Sequence, residues 1–166
     1  LFHFILVDEY QDINFIQQKW LEFLYQGHKN ICCVGDDDQS IYSWRGADVT
    51  NLLEFKKNFH TPKIIRLEQN YRSTKNILEC ASVLIDKNKK RYGKKLWSEN
   101  EVGDKVVING FWETKEEAIY TTDQIEMLIA KKIHLSEIAI LFRVAAHTRS
   151  FEDRLISIGL PYKIIG

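Results

Sequence analysis

The sequence predicts an α/β fold built on a parallel β-sheet. Short apolar runs, such as residues 4–7 and 31–34, close on acidic or turn-forming residues, as buried strands of parallel sheets do. Between such runs, apolar residues recur at the spacing of helices. Strands that alternate with helices imply a parallel sheet with right-handed crossovers.

The predicted strands are, in chain order, residues 4–7, 31–34, 64–67, 106–111, 138–142 and 162–165. Five helices lie between them. The first has Asp12 or Asn14 as its N-cap and ends at Gly27, and the third has Ser73 or Thr74 as its N-cap. The predicted apolar faces are Ile13, Ile16, Trp20, Phe23 and Leu24; Leu52, Leu53 and Phe55 within residues 47–59; Ile77, Leu78, Ala81, Leu84 and Ile85; Ala118, Thr122, Ile125, Leu128 and Ile129 within residues 115–131; and Phe151, Leu155 and Ile158.

Two acidic residues, Asp8 and Glu9, directly follow the first predicted strand. Ligands of parallel sheets bind beyond the carboxyl ends of the strands, where these side chains lie. An aspartate there is the Walker-B arrangement, in which a carboxylate holds the Mg²⁺ of a bound nucleotide. The glutamate beside it can orient or deprotonate an attacking water. Ordinary turn carboxylates are the competing interpretation.

A second polar segment runs from Gly35 to Gly46, after the second predicted strand. Residues 36–38 are all aspartate and predict a surface acidic turn. Tyr42 and Trp44 alternate and precede Arg45, and their polar, glycine-flanked context favours exposure over a place in the core. Exposed aromatic faces stack on unpaired bases without demanding a sequence.

These segments resemble motifs of a known family. DEYQD (8–12), VGDDDQSIYSWRGA (34–47) and RLEQNYRS (66–73) are similar to motifs II, III and IV of the UvrD/Rep/PcrA family of superfamily 1A DNA helicases, which move 3′ to 5′ on single strands using ATP. The resemblance continues through RYGKKLW, AILFR and LPYKIIG, so it covers essentially the whole chain. It implies RecA-like parallel sheets of the P-loop NTPase fold, ATP and Mg²⁺ as cofactors, and single-stranded DNA and duplex junctions as partners.

The resemblance also implies roles for residues at the nucleotide. Asp8 holds Mg²⁺, Glu9 polarises the hydrolytic water, and Gln39 senses the γ-phosphate, with Gln11 and Asp12 supporting the same cluster. An amide such as that of Gln39 suits a sensor because it can donate to a phosphate oxygen while accepting from water.

Further roles follow from the same resemblance. Tyr71 stacks on adenine, and Arg72 reaches the γ-phosphate, for which the guanidinium fork is well suited. A helix-start pair with an ordinary salt bridge is the competing interpretation for these two residues. Single-stranded DNA contacts Tyr42, Trp44 and Arg45, and Arg143 lies in a segment that lines the DNA path.

By resemblance, residues 1–62 form the C-terminal part of the first helicase core domain and residues 63–166 the N-terminal part of the second, with the family's ATP site between them. No G-x-x-x-x-G-K-[ST] loop, which cradles the β- and γ-phosphates, occurs in the sequence. We therefore expect an internal fragment of a longer protein, with sheets incomplete at both ends and no ATP hydrolysis by the fragment alone.

Charge and cysteine content set broader limits. The 23 basic and 23 acidic residues cancel, so net charge carries no nucleic-acid signature. The densest basic cluster, at residues 87–95, is either a solvated loop or a phosphate contact. Three cysteines without metal-ligand spacing suggest a reducing setting, such as a bacterial cytoplasm with its nucleoid.

Two alternatives to a repair or replication helicase stay open. A subunit of a recombination helicase-nuclease would keep the fold, and a nuclease domain further along the gene would distinguish it. A non-catalytic remnant of a split helicase gene is a different class of protein. The presence of Asp8, Glu9, Gln39 and Arg72 argues against such decay.

Overall fold

The computed structural model describes residues 2–165. The chain divides into two compact units, the first ending at Val106 and the second beginning at Val107. Each unit has its own helices and its own small core, and the two are described separately below.

The first unit contains a pair of parallel strands. Strand β1 (Ile5–Val7) pairs with β2 (Ile31–Cys33), with Ile5 opposite Ile31 and Val7 opposite Cys33. Backbone bonding continues past the strand ends, because Val34 donates to the Val7 carbonyl over 2.8 Å. The prediction of a parallel pairing between the first two apolar runs is confirmed, and the polar segments that follow them lie at one edge.

Helix α1 (Phe15–His28) connects the two strands. Asn14 caps it, accepting from the Gln17 N–H while the Gln17 side chain accepts from the Asn14 N–H, each over 2.9 Å. The helix runs past Gly27, where we predicted its end. It stops instead at Lys29, whose left-handed backbone directs its N–H to the Tyr25 carbonyl.

A small core lies between α1, the strands and the short helices that follow them. Its buried apolar members are Tyr10, Ile13, Leu21 and Phe59. Tyr10 is fully enclosed, and its hydroxyl donates to Gln18 Oε1 over 2.6 Å, which satisfies both buried polar groups.

The predicted apolar face of α1 is only partly correct. The helix buries Leu21 and Gln18, whereas Ile16, Trp20 and Phe23 are exposed. Helical periodicity identifies an apolar face but not what covers it, and no second layer covers these three side chains within residues 2–165.

Residues 47–59, predicted as one helix, form two: α2 (Thr50–Leu53) and α3 (Phe55–Asn58). The break falls at Glu54, which leaves helical geometry with ψ near 17°. The Tyr92 hydroxyl lies 3.1 and 2.8 Å from the carbonyl oxygens of Leu52 and Leu53. The Tyr92 hydroxyl is therefore a hydrogen-bond donor for the carbonyls at the break between α2 and α3.

Helix α4 (Lys75–Ile85) follows Thr74, which occupies the N-cap position without a side-chain capping bond. Two first-turn amides are satisfied from elsewhere, because Lys75 and Asn76 donate to the carbonyls of Glu101 and Val102 over 3.1 Å each. The chain thus replaces the predicted side-chain cap with a backbone contact.

The second unit is held by two helices, α5 (Thr114–Ala130) and α6 (Arg149–Ser157). Both were predicted, and they bury Ala118, Thr122, Ile125, Phe151 and Leu155. Arg154 Nε donates to Thr122 Oγ1 over 3.2 Å across the contact. No helix among the described residues has the length and apolar character needed to cross a bilayer.

Four predicted strands are wrong as hydrogen-bonded elements. Residues 64–67, 106–111, 138–142 and 162–165 form no ladder, and the nearest pairing is an isolated parallel bridge between Gln69 and Trp97. Their apolar side chains are largely exposed, as at Leu67, Ile108 and Leu141. A strand exists only with a neighbour, and an apolar run does not specify one.

Candidate functional site

Asp8 and Glu9 are exposed at the carboxyl end of β1, where the sequence predicted them. Glu9 has a left-handed backbone with φ 49° and ψ 44°, and its N–H bonds to Asp8 Oδ1 over 2.9 Å. This conformation costs a non-glycine residue about 1–2 kcal/mol.

Gln11 joins the two polar segments. Its side chain is almost completely buried; Nε2 donates to Glu9 Oε2 over 2.6 Å, while Oε1 accepts from the Asp36 N–H over 2.9 Å. Gly35 makes room for this contact, because a Cβ at that position would lie 2.9 Å from Gln11 Oε1. Gln11 therefore contacts Glu9, and its support of a nucleotide site stays a prediction. For Asp12, Oδ1 is buried and has no hydrogen-bond partner among the described residues.

The Asp36 carboxylate is the next link. Oδ2 accepts from Gln39 Nε2 over 2.8 Å, and Oδ1 accepts from the Asp38 N–H over 2.9 Å and pairs with Lys94 Nζ. Burial by itself would raise the pKa of Asp36, but the hydrogen bonds from Lys94 and Gln39 outweigh it and hold that pKa below its usual range. The carboxylate is therefore charged at neutral pH.

The sequence predicts a surface acidic turn at residues 36–38. In the structure this turn is instead bonded to a distant segment of the chain. Arg91 forms a two-point contact with Asp38, at 2.9 Å from Nε to Oδ1 and 2.7 Å from Nη2 to Oδ2. The Tyr92 N–H donates to Asp37 Oδ2 over 2.7 Å. All three aspartates thus have partners in residues 91–94, more than 50 positions further along the chain.

The basic cluster divides into two groups. The Arg91 and Lys94 side chains retain only 10% and 16% exposure and are committed to the acidic turn, so phosphate contact is wrong for this pair. Lys87, Lys89, Lys90 and Lys95 are exposed, and for them both interpretations stay open. Sequence reasoning missed these long-range ion pairs. The only signal for them in the sequence is the opposite charge of two short segments, residues 36–38 and 87–95.

Three of the predicted DNA residues, Tyr42, Trp44 and Arg45, form one small cluster. Arg45 Cζ lies 4.9 Å from the Tyr42 ring centroid and 4.6 Å from that of Trp44, and the two rings are 6.3 Å apart. The Trp44 side chain is 67% exposed, as its polar context predicted. Arg45 stacks on both aromatic residues, an arrangement stabilised by cation–π attraction.

Tyr71 and Arg72 are exposed and precede α4. Asn70 Oδ1 accepts the N–H groups of Arg72 and Ser73 over 2.9 and 2.8 Å, and the Tyr71 hydroxyl donates to Gln69 over 2.7 Å. Among the described residues, no hydrogen bond or ion pair joins the Arg72 side chain to Glu9 or Gln39. The bonds from Asn70 therefore hold the backbone of Arg72 and Ser73 and leave the Arg72 guanidinium accessible.

Arg143 lies in the second unit and is exposed, just before the 3₁₀ turn Ala145–His147. Its contact with DNA stays a prediction.

Carboxylates at two places are candidate ligands of a cation. The carboxylates of Asp36, Asp37 and Asp38 lie within 4.8 Å of one another, but Lys94 and Arg91 already pair with two of them, Asp36 and Asp38. Asp8 offers an exposed carboxylate at the strand end, next to Glu9. Mg²⁺ in nucleotide sites is held by one or two carboxylates plus water and phosphate, so Asp8 fits such an ion.

Comparison with known proteins agrees with the motif pattern. Residues 1–60 match the UvrD/REP helicase N-terminal domain, and residues 65–166 match the UvrD-like helicase C-terminal domain. The chain is 52% identical to a probable DNA helicase II homolog of Rickettsia felis, over 99% of this chain and 25% of that protein. It is 46% identical to DNA helicase II of Haemophilus influenzae, covering 99% of the chain and 23% of the relative. It is 45% identical to the ATP-dependent DNA helicase PcrA of Bacillus subtilis, over 99% of the chain and 22% of the relative.

The chain thus spans about a quarter of the length of these relatives. One of the two matching domain families alone covers more than half of the chain, at residues 65–166. The chain belongs to the UvrD-like DNA helicase family.

Proposed function

We propose that this chain is part of an ATP-dependent DNA helicase that moves 3′ to 5′ on single strands and separates duplexes ahead of it. The observation that carries the proposal is the continuous hydrogen-bonded route from Glu9 through Gln11 and Asp36 to Gln39. It joins the ends of β1 and β2, where parallel sheets bind nucleotides. In the full-length protein, we expect the predicted strands at residues 64–67, 106–111, 138–142 and 162–165 to complete RecA-like sheets. The two core domains would cover residues 1–62 and 63–166.

On the nucleotide side, Glu9 is the proposed general base. Its carboxylate orients the attacking water and accepts its proton, and the bond from Gln11 fixes the side chain for that task. Asp8 would hold Mg²⁺, which neutralises phosphate charge when bound. Gln39 directs one amide N–H to Asp36. Its second N–H can donate to a phosphate oxygen, and its Oε1 can accept from water.

Tyr71 and Arg72 supply the second set of nucleotide contacts. Arg72 pairs with the γ-phosphate, and its charge stabilises the transferred group in the transition state. Tyr71 stacks on the adenine ring. The support for both roles is their exposure on a backbone held by Asn70, together with the family to which the chain belongs.

On the DNA side, Tyr42 and Trp44 stack on unpaired bases while Arg45 contacts phosphate; Arg143 lines the strand further along. The aromatic cluster begins three residues after Gln39. A change in what Gln39 contacts can therefore shift the residues that grip the strand. This proximity is the proposed physical basis for coupling hydrolysis to movement.

The test uses the full-length protein that contains this segment. We expect ATP hydrolysis to be stimulated by oligo-dT, and unwinding of duplexes with a 3′ single-stranded tail but not of those with a 5′ tail. Unwinding from 5′ tails alone would contradict the proposed direction, and hydrolysis indifferent to DNA would contradict the proposed coupling. The 166-residue chain alone should not hydrolyse ATP, because it has no phosphate-binding loop.

A further inference from the structure

Lys94 is the one cation that contacts the Asp36 carboxylate among the described residues. Its ammonium pairs with Asp36 Oδ1 and lies 3.7 Å from Asp38 Oδ2. With Lys94 at 16% side-chain exposure and Asp36 at 24%, the pair is largely removed from solvent. Salt and water therefore screen it much less than a surface pair.

The two oxygens of Asp36 divide their partners. Oδ1 receives Lys94 and the Asp38 N–H, while Oδ2 receives the Gln39 amide over 2.8 Å. Because Oδ1 is held on two sides, the carboxylate plane is fixed and Oδ2 stays directed at Gln39. Without Lys94, Oδ1 would keep only the Asp38 N–H, and the carboxylate would hold the Gln39 amide less firmly.

A second route runs through the backbone. The Asp36 N–H bonds to Gln11 Oε1, and Gln11 Nε2 holds Glu9 Oε2. A displacement of Asp36 therefore reaches both the proposed sensor, Gln39, and the proposed base, Glu9. Lys94 contacts neither of them.

We propose that Lys94 is a positioning residue of the nucleotide site, acting through Asp36 on Gln39 and Glu9. The inference rests on the proposed function. It adds a residue from the C-terminal family segment, residues 65–166, to a cluster otherwise drawn from residues 1–60. Arg91 has a different task, since it anchors Asp38 and Asp86 and makes no contact with Asp36.

The test compares Lys94→Met, Lys94→Arg and the control Lys56→Met in the full-length protein. Lys56 is an exposed lysine on α3. With saturating oligo-dT, Lys94→Met should lower kcat for ATP about tenfold or more, because a charge-assisted bond that fixes reacting groups is lost. KM for ATP should stay within about threefold, since Lys94 does not touch the nucleotide. Lys94→Arg should restore most of kcat, and Lys56→Met should match wild type.

A double variant guards against misfolding of Lys94→Met, which leaves a buried charge unpaired. The double variant with Asp36→Asn and Lys94→Met removes both charges. Its kcat should be no lower than that of the less active of the two single variants, Asp36→Asn and Lys94→Met, because the pair acts as a unit. Wild-type kcat in the folded double variant, or a rise in KM alone for Lys94→Met, would overturn the inference. A wild-type protein without DNA-stimulated hydrolysis would instead overturn the proposed function itself.

Discussion

Gln11 Nε2 donates to Glu9 Oε2 over 2.6 Å, so a buried amide holds the carboxylate that follows the first strand. Glu9 has a strained left-handed backbone and is otherwise exposed, and such a side chain would sample many orientations without this bond. The same amide binds the backbone of the second polar segment. The orientation of Glu9 is therefore set by residues in the segments that follow both strands.

Glu9→Gln should reduce ATP hydrolysis by the full-length protein about 100-fold or more, with ATP binding intact. The amide keeps an oxygen that can accept from Gln11 but cannot take up the proton of the attacking water. Steady-state hydrolysis and nucleotide binding check the two parts. Glu79→Gln, on the exposed side of α4, is the matched control. A loss below tenfold in Glu9→Gln would assign the base to another residue.

Gly35→Ala should destabilise the protein and lower hydrolysis. A Cβ there meets Gln11 Oε1 at 2.9 Å and the Tyr10 backbone N at 3.3 Å, and neither group can retreat from the buried site. Gly27→Ala is the matched control, because a Cβ added at that position would have nothing within 4 Å. Gly27 lies in the last turn of α1, so that change should stabilise by at most about 0.5–1 kcal/mol, the value for a mid-helix position. Thermal unfolding midpoints should therefore move in opposite directions.

Arg72→Ala and Arg72→Lys should both reduce hydrolysis steeply, while affinity for single-stranded DNA without nucleotide stays near that of wild type. A lysine carries the charge but not the planar fork that binds two phosphate oxygens. Hydrolysis rates and oligo-dT titrations measure the two effects, with Lys63→Ala as an exposed control. Full activity in Arg72→Lys would reduce the arginine to a generic positive charge.

Trp44→Ala should weaken single-strand binding by about 1–3 kcal/mol and uncouple hydrolysis from unwinding. The dependence of affinity on salt should barely change, because no phosphate contact is lost. Arg45→Ala should instead make that dependence shallower. Its loss of affinity should be partly offset, because the ring faces that Arg45 covers become available to bases.

Titration of oligo-dT across a salt series separates these two roles. Trp112→Ala, which removes a fully exposed tryptophan in the second unit, is the control. If Trp44→Ala lowers the unfolding midpoint but leaves affinity unchanged, the indole supports the fold rather than the strand.

Apolar periodicity and N-cap residues predicted the helices and strands whose formation depends on neighbouring residues in the sequence. The positions of β1, β2, α1 and α4 to α6 follow from apolar periodicity and N-caps, and the placement of Asp8 and Glu9 follows from the strand preceding them. The four remaining strands could not be predicted in this way, because a ladder depends on a partner elsewhere. Leu67 and Ile108 have apolar character and no pairing.

The site was predicted to a similar extent. Asp8 and Glu9 were identified from their position after a strand, and Gln11 and Gln39 from the resemblance to helicase motifs. The structure joins Glu9 to Gln39 through Gln11 and Asp36. Lys94 was missed in this role, since its partner lies 58 positions away and a single sequence does not record such pairings. The roles of all the predicted site residues stay predictions, at the nucleotide for Asp8, Glu9, Gln39, Tyr71 and Arg72 and at the DNA for Tyr42, Trp44, Arg45 and Arg143.

The pairing of the acidic turn with Arg91 also imposes an order on folding. Asp38 and Arg91 are separated by 53 positions, and a chain made from its N-terminus presents the turn long before its partner. Until then the carboxylates must stay in water, because burying them unpaired is costly. A piece ending at residue 60, where the first family match stops, would lack Arg91, Tyr92 and Lys94 altogether. The turn therefore reaches its native form late, when the segment after α4 docks against it.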